Sequence, residues 1–291
     1  MAASSGLQAP GRPHGLVGAL RNGFLLKLIV DKEIQVRYRG SVLGLLWSYI
    51  KPAVQFGVFY LALGVFLGLD ARSGGGIQHY AIYLFSGIAI MNLFSETFGN
   101  AARSIVGNGG LIKKIYLPRE LFPLSSLWVA MIHFLPQVLV LLIACIAVGW
   151  HPDLLQIASV FLAFLIVGVF SLGIGLVFAT ADVFFRDAEN IVDLINMVAT
   201  WLSPVLYQWM MVRDTLGDVV FGIYMLNPLS VAVELFHYGF WFPTLTEEAA
   251  WHVPPQFFSV WVPVALGVAF LFLFLGDSLF RRFSGRFAQE L

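Results

Sequence analysis

Charge is what this chain has least of: Asp, Glu, Lys and Arg make up 12% of its 291 residues, about half the share of an average soluble domain. Apolar residues fill the gap, reaching 59%, with a mean hydropathy of +0.82. An ordinary soluble domain is excluded, and a polytopic membrane protein is expected. The length leaves room for about six spans of ~20 residues each. Cysteine occurs once, as Cys145, so no intrachain disulfide can form and a buried, inert thiol is expected. Net charge is zero, so the overall balance says nothing about nucleic acid or acidic partners; no nucleic-acid partner is expected. No cleavable leader is evident: residues 1–15 are small, polar and expected to be disordered, and Phe24–Val30 is short and interrupted by Lys27.

Catalytic signatures are missing too. There is no HExxH, no acidic pair at metal-ligand spacing and no Gly-x-Ser-x-Gly elbow, so neither an enzyme, a metal nor a cofactor is expected in this chain. Gly107-Asn-Gly-Gly110 before Lys113-Lys114 resembles a phosphate loop only superficially, because Ile112 stands where that motif needs glycine. If ATP is used, another subunit binds it. Intramembrane ionisable residues are few: Lys51, Glu96, His133, Asp193, Glu234 and Asp277. No span carries a paired set of the kind proton-coupled carriers use for relays, which disfavours a secondary transporter.

What is present is a run of apolar segments at roughly 44–69, 79–102, 121–148, 155–181, 190–211 and 257–278. Basic residues are sorted between them. Arg12, Arg21, Lys27, Lys32, Arg37, Arg39, Arg103, Lys113, Lys114, Arg119, Arg186, Arg281, Arg282 and Arg286 fall on one side, 14 of the 17 Lys and Arg. The positive-inside bias then places both termini in the cytoplasm. Residues 212–256 fit no simple span. Leu216–Leu226 and Leu229–Phe242 are apolar, but Asn227-Pro228 separates them and Glu234 interrupts the second. Each half is too short to cross ~30 Å of hydrocarbon, so a re-entrant helical hairpin dipping in from the outer face is expected, beside a cavity mouth.

The fold expected is therefore all-α: residues 16–43 as an amphipathic interfacial helix, a six-span transmembrane domain over 44–281 and a cytoplasmic tail over 282–291. Leu16, Leu20, Phe24 and Leu28 share one face of the first element, which serves either as a simple anchor or as a collar contacting a cytoplasmic partner. The loop Arg103–Glu120 is basic yet also carries Leu111, Ile112, Ile115, Tyr116 and Leu117, a composition that implies a covered surface. Aromatic residues cluster in span one (Trp47, Tyr49, Phe56, Phe59, Tyr60) and in the outer part of span five (Trp201, Tyr207, Trp209). Interfacial belts and packing compete there with a sugar-binding path. Gly64–Gly68 in span one and Ser171-Leu-Gly173-Ile-Gly175 in span four permit close helix approach.

Three stretches together resemble the type-2 ABC exporter permeases of the Wzm group, which move lipid-linked polysaccharides, with teichoic-acid permeases as relatives. They are Asp31–Pro52, with its Arg-Tyr-Arg-Gly-Ser-x-Leu-Gly-x-x-Trp; Leu111–Pro123; and Phe185-Arg-Asp187 with Trp201–Tyr207 and Leu226-Asn-Pro228. Residues 1–15 and 243–256 match poorly. The resemblance implies a homodimer in the bacterial cytoplasmic membrane, paired with two copies of a cytoplasmic ABC ATPase that carries ATP and Mg. It implies export of a polyprenyl-diphosphate-linked glycan of O-antigen or cell-wall galactan type, with teichoic acid, drugs or small lipids as alternative cargo. Lys32, Glu33, Lys113, Lys114, Tyr116 and Arg119 would meet the ATPase. Arg37 and Arg39 would contact the lipid diphosphate or only set topology. The two aromatic clusters would line the glycan channel, and Asn227, Pro228, Tyr238 and Trp241 would form an outer gate.

Overall fold

A computed structural model describes residues 15–70, 77–115, 117–245 and 253–291. Among them the chain is almost wholly helical. Two short elements, α1 (Gly15–Arg21) and α2 (Gly23–Tyr38), precede α3 (Trp47–Phe59), which continues as a π-helical stretch, Tyr60–Phe66. Then come α4 (Tyr80–Gly107), the single turn α5 (Gly109–Ile112), α6 (Leu121–Ala147), α7 (Leu154–Phe184) and α8 (Ala188–Trp201). The chain ends with α9 (Trp209–Met225), α10 (Pro228–Phe240), α11 (Val262–Ser284) and α12 (Phe287–Glu290). Five helices among the described residues are long and apolar enough to cross a membrane: Gly44–Phe66, Tyr80–Gly107, Leu121–Ala147, Leu154–Phe184 and Phe257–Ser284.

Local sequence explains several boundaries. Asp153 caps α7, its carboxylate accepting from Gln156 N while the Gln156 side chain accepts from Asp153 N. Asn227 caps α10 by accepting from Leu229 N at 3.1 Å, with Pro228 at the first helical position, where its missing N–H costs nothing.

The bundle is organised around α4, which packs on α6, α7, α8 and α10. In its most apolar window 72% of residues are buried, against 11% for the α3 span, so α4 is the axis and α3 lies at the periphery. Where α7 crosses α11, glycine is obligatory. A Cβ on Gly276 would stand 2.3 Å from Gly173 O, and one on Gly173 2.5 Å from Leu273 N. Gly175 plays the same part against Ala101 of α4. The small residues expected to allow close approach in span four thus serve two different neighbours within this chain.

The segment expected as one continuous spanning helix over 190–211 is broken. The helix stops at Trp201, residues 202–208 are non-helical, and Trp209 opens α9. Pro204 accounts for the stop, since it disfavours helical backbone just before it. At 14 residues α8 spans only about 21 Å. Its Asp193 meets Arg103 of α4 at 2.5 Å, while Pro204 O and Tyr207 O meet Tyr83, at the other end of α4. Helix and extended segment together therefore run from one end of α4 to the other.

The hairpin beyond it takes the form expected. α9 and α10 are bent by 100° at the Leu226–Asn227 break. Its tip sits at the depth of Leu202, whose carbonyl accepts from Ser230 Oγ at 3.2 Å. α10 then returns, with His237 Nε2 3.1 Å from Tyr83 O and Trp241 Nε1 donating to Gln78 O at 2.7 Å. The first arm begins earlier than the pattern implied and is broken at Gly217, whose φ of 81° and ψ of 172° no helix accommodates. Glu234, which looked like an interruption, is fully buried.

The interfacial segment is two helices, not one. Asn22, at φ −93° and ψ 50°, breaks it, and the register shifts. Leu16, Ala19, Leu26, Ile29 and Val30 pack inward, whereas Leu20, Phe24 and Leu28 of the expected apolar face are exposed. The expected disordered segment falls almost entirely on residues 1–14, outside the described residues. The tail is anchored: Phe287 is fully buried and stacks edge-on against Phe280.

Replacing Gly276 by Val is expected to destabilise the bundle by about 1–3 kcal/mol or more. Gly267→Ala, in the same helix with open space at its Cβ, is expected to be near neutral. Unfolding temperatures of the detergent-purified variants check both.

Candidate functional site

A polar cavity of about 730 Å³ opens between α2, α3, α4 and α6. At its base three charged or polar groups that the sequence presents as isolated come together. Arg37 of α2 forms an ion pair with Glu96 of α4. His133 of α6, almost fully buried, places Nδ1 2.6 Å from the same carboxylate. Its Nε2 lies 3.0 Å from Tyr38 Oη, which also meets Ser48 Oγ at 2.9 Å. In the tautomer that donates Nδ1–H to Glu96, Nε2 accepts from the tyrosine hydroxyl, so the chain of bonds has a consistent direction. No single span was expected to carry a paired ionisable set; Glu96 and His133 lie on different helices and meet only through packing. Spacing within one segment carries no signal for such a pair.

The remaining wall is uncharged apart from Lys51. Asn92 Nδ2 donates to Gln137 Oε1 at 3.1 Å, and Gln137 Nε2 donates to His133 O at 3.2 Å. Gln55, Lys51 and Trp47 of the α3 region close the other side. An apolar partner to this cavity, lined by Tyr49, Phe56, Phe85 and Leu141, lies alongside it.

The residues expected to meet an ATPase gather at the basic end of the bundle, where Arg103, Arg186, Arg281 and Arg282 also lie. Lys32 Nζ contacts Glu33 at 2.9 Å and Asn108 Oδ1, and Glu33 accepts from Asn108 Nδ2 at 3.3 Å. The interfacial helix is thereby tied to the head of the 103–120 loop. Lys113 and Lys114 are exposed, and the Arg119 guanidinium sits 5.9 Å from the Phe287 ring centre. Tyr116 lies outside the described residues. The apolar loop residues divide. Leu111, Ile112 and Leu117 pack into a cluster with Phe122 and Phe287 of this same chain, while Ile115 stays exposed. Glu120, at the start of α6, is buried, and burial holds its carboxyl above the usual range.

The expected diphosphate and channel residues are distributed differently. Arg37 is engaged by Glu96, whereas Arg39 is exposed just beyond α2. Trp47 and Tyr49 are exposed. Phe56 stacks on Tyr60, whose hydroxyl donates to Asp70 at 2.7 Å. Phe59 meets Trp201 edge-on at 6.4 Å. Trp201 is exposed, and its carbonyl accepts from Tyr207 Oη at 2.7 Å. Trp209 is buried against Phe221. Of the expected gate, Asn227 and Pro228 form the hairpin tip, Tyr238 stacks on Phe242, and Trp241 is buried.

Comparison with known proteins places this architecture. The sequence profile of a family described as ABC-2 type transporter matches residues 25–241. An O-antigen export system permease protein of Klebsiella pneumoniae is 27% identical, the alignment covering 92% of this chain and 95% of the relative. One from Myxococcus xanthus is 28% identical over 65% of this chain and 70% of the relative. A polysialic acid transport protein of Escherichia coli is 23% identical over 74% and 82%.

Glu96→Gln is expected to lower stability by about 1–3 kcal/mol, because it leaves the Arg37 charge without its counterpart at a partly buried site. Arg37→Gln combined with Glu96→Gln is expected to recover part of the loss. Unfolding curves of the single and double variants form the check.

Proposed function

The chain belongs to the ABC-2 type transporter family, and from that premise we propose that it is the transmembrane permease subunit of an ATP-driven exporter of a lipid-linked polysaccharide. The observation that carries the reading is the coverage of the O-antigen export permeases along almost their whole length. The polar cavity at span depth agrees with it, since intramembrane polar clusters mark substrate pathways. The cargo is a polyprenyl-diphosphate-linked glycan of O-antigen or galactan type. Arg39, exposed at the end of α2, provides positive charge for the diphosphate, whereas Arg37, lining the cavity, is already paired with Glu96.

The working unit of this proposal is a homodimer joined to two cytoplasmic ABC ATPases, which hold ATP and Mg. The dimer is the usual closed choice for identical subunits, and the sparsely buried α3 span offers an apolar face through Val54, Val58 and Leu61. The basic end faces the cytoplasm by the positive-inside bias, in the bacterial cytoplasmic membrane. Both termini lie on that side, and the α9–α10 hairpin dips in from the opposite one. Force from the ATPases enters through the exposed Lys113-Lys114 tip and passes to α2 through the Asn108 bonds to Lys32 and Glu33.

Depletion of the chain is expected to accumulate lipid-linked glycan at the cytoplasmic face and to remove it from the cell surface. An unchanged surface glycan on complete depletion would refute the export reading. Lys113→Glu with Lys114→Glu is expected to abolish export while membrane insertion and protein level stay at the wild-type value. Surface glycan staining and quantitative membrane immunoblots read the two.

A further inference from the structure

The cavity beside α3 has an inner wall that general export does not require. Glu96 is already balanced by Arg37. Lys51, exposed on the cavity side of α3, forms no ion pair among the described residues. The cavity therefore keeps a positive charge to offer. Beside Lys51 the surface is lined by uncharged groups: Gln55 from α3, Asn92 from α4 and Gln137 from α6. The bonds from Asn92 to Gln137 and from Gln137 to the His133 carbonyl orient two of these amides. Trp47, 42% exposed, adds a ring to the rim.

This combination is selective in chemistry. A lone phosphate asks only for cations and N–H donors. Carboxamides both donate and accept, which suits hydroxyl groups that also do both. An indole face suits the apolar face of a pyranose ring. The volume of about 730 Å³ lies within the range of small-ligand pockets, about 300–1,000 Å³.

We propose that this cavity binds the head of the lipid carrier: Lys51 takes the diphosphate, and Gln55, Asn92 and Gln137, with the Trp47 ring, hold the first sugar attached to it. The assignment rests on the export reading and adds to it a subsite that reads the glycan's lipid-proximal end.

The test uses the full chain in nanodiscs and three probes of one short polyprenyl length: the bare diphosphate, and the diphosphate carrying glucose or N-acetylglucosamine. Wild type is expected to bind at least one sugar-bearing probe about tenfold more tightly than the bare one. Gln55→Ala and Asn92→Ala are expected to bring the ratio within about twofold while leaving bare-diphosphate affinity unchanged. Lys51→Gln is expected to weaken all three by about tenfold, and Lys51→Arg to restore most of it. Gln55 makes no hydrogen bond among the described residues, so its variant carries the sugar test if Asn92→Ala lowers the unfolding temperature. Equal wild-type affinity for all three probes, a ratio that survives Gln55→Ala, or full binding by Lys51→Gln would overturn the subsite. Glycan accumulation on depletion without any sugar preference overturns the subsite alone, whereas absence of accumulation overturns the export reading beneath it.

Discussion

Hydrocarbon contains no water to solvate a broken backbone, and the central break in this chain survives because α4 and α10 supply the missing partners. Residues 202–208 leave the helix beside α4, largely buried in the bundle. Leu202 O accepts from Ser230, Pro204 O and Tyr207 O from the Tyr83 hydroxyl, and Leu206 O from the Tyr80 hydroxyl at 3.3 Å. The same tyrosines form a ring column running from Tyr60 through Tyr80 and Tyr83 to His237 and Trp241. Span one, the extended segment and the re-entrant hairpin are thus held to α4 by one set of side chains. Each unpaired carbonyl in such a place costs several kcal/mol, which is why α4 is so deeply buried.

The second organising relation is carried by α2. Its Lys32 and Glu33 bond to Asn108 at the loop head, and Arg37 and Tyr38 enter the polar cavity. Five residues separate the two contacts, about 7.5 Å of helix. In the proposed exporter, movement imposed at the loop would reach the cavity through less than two turns of one helix, so that coupling and substrate contact would share a single short lever.

Composition and apolar runs made the polytopic fold legible, and Asn227-Pro228 between two short apolar halves was enough to mark the hairpin. Pro204 marked the break after Trp201, but Val205–Tyr207 is apolar and aromatic enough to mask it as a continuing span; the stability of the break comes from distant hydroxyls on α4. The face of the interfacial segment was misjudged because one residue, Asn22, resets the helical phase. Within the site, Arg37 stood out by its place before span one. Glu96 and His133 did not, since each looks like a lone polar group on an apolar helix. Their meaning comes from the crossing of α4 and α6, a tertiary fact that no periodicity within either helix encodes.

Cys145 is fully buried, with its Sγ 3.6 Å from Phe240 O, and no other thiol exists in the chain. Aqueous alkylating reagents therefore meet a chemically silent background. A cysteine introduced at an exposed position can carry a spin label or fluorophore without first removing the native one. Motion of the hairpin relative to α3 is in this way open to direct distance measurement in the otherwise unaltered protein.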